Sequence, residues 1–266
     1  MTPPVWLDVA FTPAEIPLRL TDARLAGGAE PGEVVCAVAD ILRATTTIVT
    51  VMGNGCRAIH PVPSPQAGWE KGAALRARLG AAQVVLGGEQ DGRPIEGYDG
   101  GNSPLEYPPE RIAGKVLVLS TSNGTKTLAA AAPCGRVHIA ALANARAAGR
   151  RLAGDILAGR GRALLIGCSG REGGFCEEDA VAAGLLLAHA RECLGGDVEL
   201  SDSARAALRT AEGAPRGLPR LLRESFWGRH LLTLGLGPDI AFCARLDWTE
   251  AVPRLRDGVI VAGEGA

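Results

Sequence analysis

The 266-residue sequence predicts an α/β fold: a three-layer sandwich with a mixed, largely parallel sheet and helices on both faces. Short, continuous apolar runs recur along the chain, each followed by a polar or glycine-rich loop and then a helix-like segment. Hydrophobic residues make up 47% of the chain and charged residues 21%, which excludes a disordered or fibrous protein. A compact chain of this length buries about three quarters of its extended surface, enough for a core without covalent staples.

The elements follow in order. Val34–Ala39 (VVCAVA) reads as a buried strand ending at Asp40. The next segment, 41–52, is rich in β-branched Thr, Ile and Val, which favour strand, but a parallel sheet needs a crossover there and the reading is helix. Residues 83–86 form a second strand and lead into GGEQDGRPIEGYDGGNSPLEY. Residues 115–119 (KVLVL) form a third, followed by STSNGTK and an alanine-rich helix. Residues 163–166 form a fourth, followed by GCSGREGGFCEED. Glu177–Leu194 is a helix: acids open it, apolar residues fill a broad face and Gly195-Gly196 close it. Residues 201–222 read as helical, with a Gly/Pro interruption at 213–219. No repeat or linker divides the chain, so residues 1–266 are expected to form one catalytic α/β domain, or two intimate lobes. Parallel sheets hold ligands at the carboxyl ends of their strands, so the four loops are expected to converge on one edge.

Composition narrows the partners. Lys plus Arg total 28 and Asp plus Glu 29, so no positive excess draws in nucleic acid or an anionic membrane. No apolar stretch approaches the ~20 residues of a bilayer span, and MTPPVWLDVAFTPAEI lacks the parts of a signal peptide. Seven cysteines, odd in number and without a CxxC pair, read as reduced thiols of a cytosolic protein. Four scattered histidines make no local zinc pattern, whereas carboxylates and hydroxyls suit Mg²⁺. Only three of the 28 basic residues are lysines, so an arginine is by itself a weak signal. The oligomeric state, with a homodimer as one arrangement, is open.

Four loops carry the candidate chemistry. Asp40 can ligate Mg²⁺, attack phosphorus or simply cap the next helix; Arg43, Thr45 and Thr46 could hold phosphate oxygens. A haloacid-dehalogenase-type phosphatase needs a second Asp where position 42 is Leu. The 87–107 loop offers Glu89, Asp91, Glu96, Asp99, Asn102 and Ser103; its length marks it as functional or disordered, and Pro104, Leu105 and Tyr107 look like anchors. Asp91-Gly92 and Asp99-Gly100 are also ordinary turn pairs. STSNGTK, with Ser120, Thr121, Ser122, Asn123, Gly124 and Thr125, is an anion cradle or an ordinary turn with a cap, and it is not a Walker A loop. Cys168 could be an activated nucleophile, but a tyrosine-phosphatase loop needs Arg where position 174 is Gly, and a pocket-lining role is preferred. Glu177, Glu178 and Asp179 exceed what capping one helix requires.

Together ADILRATTTI, GGEQDGRPIEGYDGGNSPLEY, STSNGTKTL and GCSGREGGFCEEDAVAAG, in this order, resemble the 2-phosphosulfolactate phosphatase family, and the tail LLRESFWGRHLLTLGLGPDIAFCARLDWTEAVPRLRDGVIV is similar as well. The resemblance runs from about Val34 to Val261. It implies a Mg²⁺-dependent phosphatase that converts 2-phospho-3-sulfolactate to sulfolactate and phosphate, a step of coenzyme M biosynthesis in organisms that make that cofactor. The implied site residues are Asp40, Arg43, Thr45, Thr46, Glu89, Gly97, Asp99, Asn102 and Ser103, with Thr121, Asn123, Gly124, Thr125, Cys168, Gly170, Glu178 and Asp179. Among these Asp40, Arg43, Asp99, Asn102 and Cys168 are expected in catalysis. Asp40, Glu89, Glu178 and Asp179 are expected at the metal. Thr45, Thr46, Ser103, Thr121, Asn123, Gly124, Thr125 and Gly170 are expected at the substrate. Metal-activated water, Asp40 and Cys168 all stay open as the nucleophile. Arg93, Arg171, Arg229 and Lys126 are candidates for the substrate's sulfonate and carboxylate. The alternatives are a phosphatase for another small phosphorylated hydroxy acid and a non-catalytic binder of such acids.

Overall fold

The computed structural model describes residues 4–21, 28–196 and 198–263. Its strands are β1 (Val5–Ala10), β2 (Val34–Ala39), β3 (Ala58–Val62), β4 (Val84–Gln90), β5 (Arg93–Pro94) and β6 (Val116–Ser120). After these come β7 (Arg136–Ala140), β8 (Ala163–Cys168), β9 (Val198–Leu200), β10 (Arg254–Arg256) and β11 (Val259–Val261). The first helices are α1 (Glu15–Thr21), α2 (Ala44–Gly53), α3 (Pro65–Leu79), α4 (Pro109–Ile112), α5 (Gly124–Ala131) and α6 (Ala145–Leu157). The remainder are α7 (Glu177–Leu194), α8 (Asp202–Ala211), α9 (Leu218–Glu224), α10 (Phe226–Thr233) and α11 (Gly237–Cys243).

All the strands join one mixed sheet in the order β5-β4-β6-β3-β11-β10-β7-β2-β8-β1-β9. Strand β2 is buried at every position, as its unbroken apolar sequence requires of a strand covered on both faces. Helices α6, α7 and α8 pack together over β7, β2, β8 and β1, whereas α1 and α5 pack against β1, β2 and β8. Gly167 marks the α1/α5 face: a Cβ there would lie 2.8 Å from the Ile16 Cδ1 of α1. Helix α3 covers β3, β6 and β4 over a separate small core of Val62, Leu75, Val84, Leu86, Val116 and Val118.

The sheet contains two parallel blocks. Strands β7, β2, β8, β1 and β9 run one way. Strands β3, β6 and β4 are also mutually parallel. Between the blocks stand three antiparallel pairings, β7 with β10, β10 with β11 and β11 with β3. Three reversals make the blocks run in opposite senses. The expectation of one shared edge is therefore corrected: the loops meet, but at the carboxyl ends of two oppositely directed blocks.

Helix α7 has the expected limits and closes on Gly195 in the left-handed conformation (φ 58°). Helix α2 starts three residues later than expected, because residues 41–43 form a turn. Its β-branched residues are tolerated because nearly all of α2 is buried, and packing outweighs the small intrinsic preference against helix. Strand β4 runs to Gln90, which puts Glu89 in the strand and not in the loop. The 201–222 segment is two helices, α8 and α9, separated by a short 3₁₀ turn at Ala214–Arg216.

Candidate active site

The chain leaves β2 through a turn dictated by Asp40 and Thr45. The Thr45 backbone N–H donates to the Asp40 carbonyl at 2.9 Å, and the Ala44 N–H donates to Asp40 Oδ1 at 3.1 Å. This capping fixes the carboxyl group at the mouth of the strand. With Oδ1 so engaged, Oδ2 faces the first residue of α5: a Cβ on Gly124 would sit 3.1 Å from it and 2.7 Å from the Ala44 Cβ. Only glycine lets the start of α5 approach Asp40 this closely.

Three other strand exits meet it around a cavity of about 420 Å³. From β4 comes Glu89, whose Oε1 accepts the Ser122 N–H and Oε2 the Gly92 N–H, both at 2.8 Å. Glu89 thereby ties the 87–107 loop to the STSNGT turn after β6. From α7 comes Asp179, accepting the Ile41 N–H at 2.9 Å and the Gly170 N–H at 3.0 Å, which joins the exits of β2 and β8. Gly170 has φ 53°, and a Cβ there would meet the Gly174 carbonyl at 2.2 Å. The 87–107 loop is held by Tyr107 Oη, which donates to the Gly101 carbonyl at 2.5 Å.

Of the residues singled out in the sequence, Asp40, Arg43, Glu89, Asn102, Thr121, Asn123, Gly170, Glu178 and Asp179 line the cavity. Others are elsewhere. Asp99 is on the outer side of its loop, accepting the Leu86 N–H at 2.8 Å and pairing with Arg76 at 2.7 Å. Thr45 and Thr46 direct their hydroxyls to the Asp40 and Ile41 carbonyls, and Thr125 to Thr121. Ser103 donates to Asp239 Oδ1 at 2.8 Å, while Asp239 Oδ2 holds Arg43 at 2.6 Å. Cys168 lies behind the cavity wall; burial, then the Asp179 charge, push its thiol well above the ordinary range, so it stays protonated at neutral pH. Arg171 and Lys126 border the cavity, Arg229 belongs to a neighbouring hollow, and Arg93 is exposed. Sequence reasoning missed Asp239 and Trp227. Asp239 reads as an ordinary acid in a first helical turn, and Trp227 as one more tail aromatic.

Electrostatics sets the character of the site. Burial pushes Asp40 up to about 7, with the charges of Glu89 and Glu178 adding to it and the Ala44 N–H and Ser169 hydroxyl opposing it. Burial, then Asp40 and Glu178, push Asp179 well above the carboxylate range. Glu178 is likewise raised by burial. Six acids line the cavity (Asp40, Glu89, Asp91, Glu172, Glu178 and Asp179) against three bases, Arg43, Lys126 and Arg171. The donors are oxygen apart from the Cys176 thiol, which burial keeps protonated, and Asn102 Oδ1 is a buried acceptor without a hydrogen-bond partner. Among the described residues no three His, Cys, Asp or Glu side chains are grouped as a cage for one ion. An arrangement of this kind fits Mg²⁺, which takes one or two carboxylates and completes its shell with water and phosphate oxygens.

Residues 22–258 match the family described as 2-phosphosulpholactate phosphatase. The chain belongs to this family. The family consists of phosphoric monoester hydrolases by name, and the matched range includes every residue that lines the cavity. A protein of Gloeobacter violaceus named "Probable 2-phosphosulfolactate phosphatase" is 40% identical over 231 residues, 86% of this chain and 92% of its own. One of Symbiobacterium thermophilum with the same name is 37% identical over 232 residues, 85% of this chain and 93% of its own. A third, of a Synechococcus species, is 40% identical over 238 residues, again 86% and 92%. No helix among the described residues is long and apolar enough to cross a membrane.

Proposed function

We propose that this phosphatase is Mg²⁺-dependent and hydrolyses 2-phospho-3-sulfolactate to 3-sulfolactate and phosphate, serving coenzyme M biosynthesis in a host that makes that cofactor. One observation carries the metal dependence: six acids face three bases in the cavity that must admit a substrate with three acidic groups. Charged acids repel such a substrate, and the raised Asp40, Glu178 and Asp179 mark sites where a cation or a proton must balance the charge; a cation does so while keeping the carboxylates as ligands. Asp40 and Glu178, with Asn102 Oδ1, would hold the ion; Glu89 and Asp179 are spent on backbone amides. Bound there, Mg²⁺ supplies charge neutralisation to the phosphoryl group being transferred.

The chain's own residues do the rest. The first backbone amides of α5 and the Thr121 and Asn123 side chains receive phosphate oxygens opposite Asp40. Arg43, held by Asp239 and by the Gly92 carbonyl at 2.8 Å, presents a fixed positive charge to the same group. Asp40 Oδ2 orients the water that attacks phosphorus. The reducing cytosol is the proposed location, supported by seven unpaired cysteines.

The test is phosphate release from 2-phosphosulfolactate and from a panel of other phosphorylated hydroxy acids, with Mg²⁺ and with EDTA. The expected result is turnover of the sulfonated ester with the highest kcat/KM, abolished by EDTA and restored by Mg²⁺. Unchanged turnover in EDTA removes the metal from the reading, and a better ester removes the substrate. Thermal stabilisation by these acids without phosphate release marks a binder.

A further inference from the structure

Arg43 is assigned to the phosphate and Lys126 is exposed on α5, which leaves Arg171 among the cavity-lining bases as the cation held in place for the other acid groups. Its base is fixed by a tight turn, with the Arg171 N–H donating to the Gly174 carbonyl at 3.0 Å and the Gly174 N–H donating back at 2.7 Å. Its guanidinium carbon sits over the Trp227 indole, 3.6 Å from the ring centre. The indole is in turn stacked with His230 at 4.5 Å and 13°. Arg171 Nη2 pairs with Asp91 Oδ1 at 3.2 Å and with Glu172 Oε1 at 3.4 Å, whereas Nη1 is buried without a hydrogen-bond partner. A charged donor buried with no acceptor is costly, and an incoming oxyanion relieves it. Asp91 itself is 71% exposed, so water can solvate it once it is displaced.

We infer that Arg171 selects the sulfonated substrate: its guanidinium, positioned by Trp227, gives up Asp91 and takes the sulfonate in its place. This rests on the substrate proposed above. The phosphate is assigned to the deep end, among Asp40 and the start of α5, which leaves the mouth for the other acid groups. A sulfonate is ionised at every working pH and weakly hydrated, and it matches a planar, weakly hydrated guanidinium better than a strongly hydrated ammonium. Asp91 acts as a stand-in anion in the unliganded protein. Trp227 is assigned a positioning role, exerted through its contact with the guanidinium.

The experiment compares kcat/KM for 2-phosphosulfolactate with that for 2-phospholactate, which lacks only the sulfonate, in the wild type, Arg171→Met and Trp227→Leu. Circular dichroism and Tm check that each variant is folded. The wild type is expected to favour the sulfonated ester by about 100-fold, as a charged recognition contact allows. In Arg171→Met that ratio falls tenfold or more, and any smaller fall overturns the assignment. In Trp227→Leu it falls at least threefold through KM, and an unchanged ratio removes the positioning role. Should Arg171→Met fail to fold, Arg171→Lys is judged by the same tenfold criterion. If the wild type turns over neither ester, the substrate reading fails first and this inference falls with it; turnover with an unaltered ratio in the variants overturns the inference alone.

Discussion

Asp40 is unfavourable to the folded chain as a charge, chiefly because it is buried, and the charges of Glu89 and Glu178 add to the cost. Its folded pKa of about 7 stands above the unfolded carboxylate value of about 3.9. The unfolded chain therefore releases that proton first, so stability falls as pH rises between these values and stays low above them. Asp40→Asn keeps an oxygen for the Ala44 N–H and removes the charge. It is expected to raise Tm in EDTA at pH 8, by about 2–4 °C per kcal/mol gained, and to leave Tm nearly unchanged at pH 4. Turnover with Mg²⁺ should drop by about a thousandfold; near-normal kcat would reduce Asp40 to a cap. Asp155 shows the opposite sign. Burial alone would raise it, but the hydrogen bond and charge of His138, with Arg160 and Arg151, bring it down to about 2. Its contribution is present above about pH 4 and is lost as pH falls toward 2. Urea titrations should therefore show wild type exceeding Asp155→Asn by about 2 kcal/mol more at pH 6 than at pH 2. Equal gaps at both pH values would show that His138 and Arg160 do not favour the charged carboxylate.

At the scale of the element, the start of α5 is where sequence and packing oppose each other. Alanine in place of Gly124 gains about 1 kcal/mol of helix propensity. Its Cβ would press against the Ala44 Cβ, 2.7 Å away, an overpacking cost of about 1–3 kcal/mol. Gly124→Ala is therefore expected to cost no more than about 2 kcal/mol in chemical denaturation. It should still lower kcat/KM by about tenfold or more, because α5 shifts away from Asp40. A normal kcat/KM would mean that the phosphate does not depend on this close approach. The same balance governs α2. Its β-branched residues argue for strand, and helix was legible only through the need for a crossover after β2. Helix α7 was legible outright, because its acids, apolar face and closing glycines all act locally. The threonines of α2 misled as phosphate ligands because their hydroxyls can satisfy backbone carbonyls one turn away, as Thr46 and Thr50 do.

For the whole molecule, the decisive feature is the β10–β11 hairpin, which inserts between β7 and β3 and joins two blocks of opposite sense. A chain ending at Pro253 would leave both blocks with bare edges facing each other. Its expected outcome is loss of phosphatase activity, with unfolding in two transitions or aggregation instead of one cooperative step. A truncated chain with wild-type Tm and turnover would show that helix packing alone holds the blocks in register. The sequence by itself determined the alternation of apolar strands and helices, the four loops that carry polar groups, and the family, because strand burial, helix ends and turn chemistry depend on residues close in the chain. Only the tertiary structure decided which polar groups reach the cavity. Asp239 holds Arg43 across 196 positions, and Asp99 turns outward to Leu86 and Arg76. A carboxylate seeks whichever donor lies nearest in space, and the packing of the two blocks sets that distance.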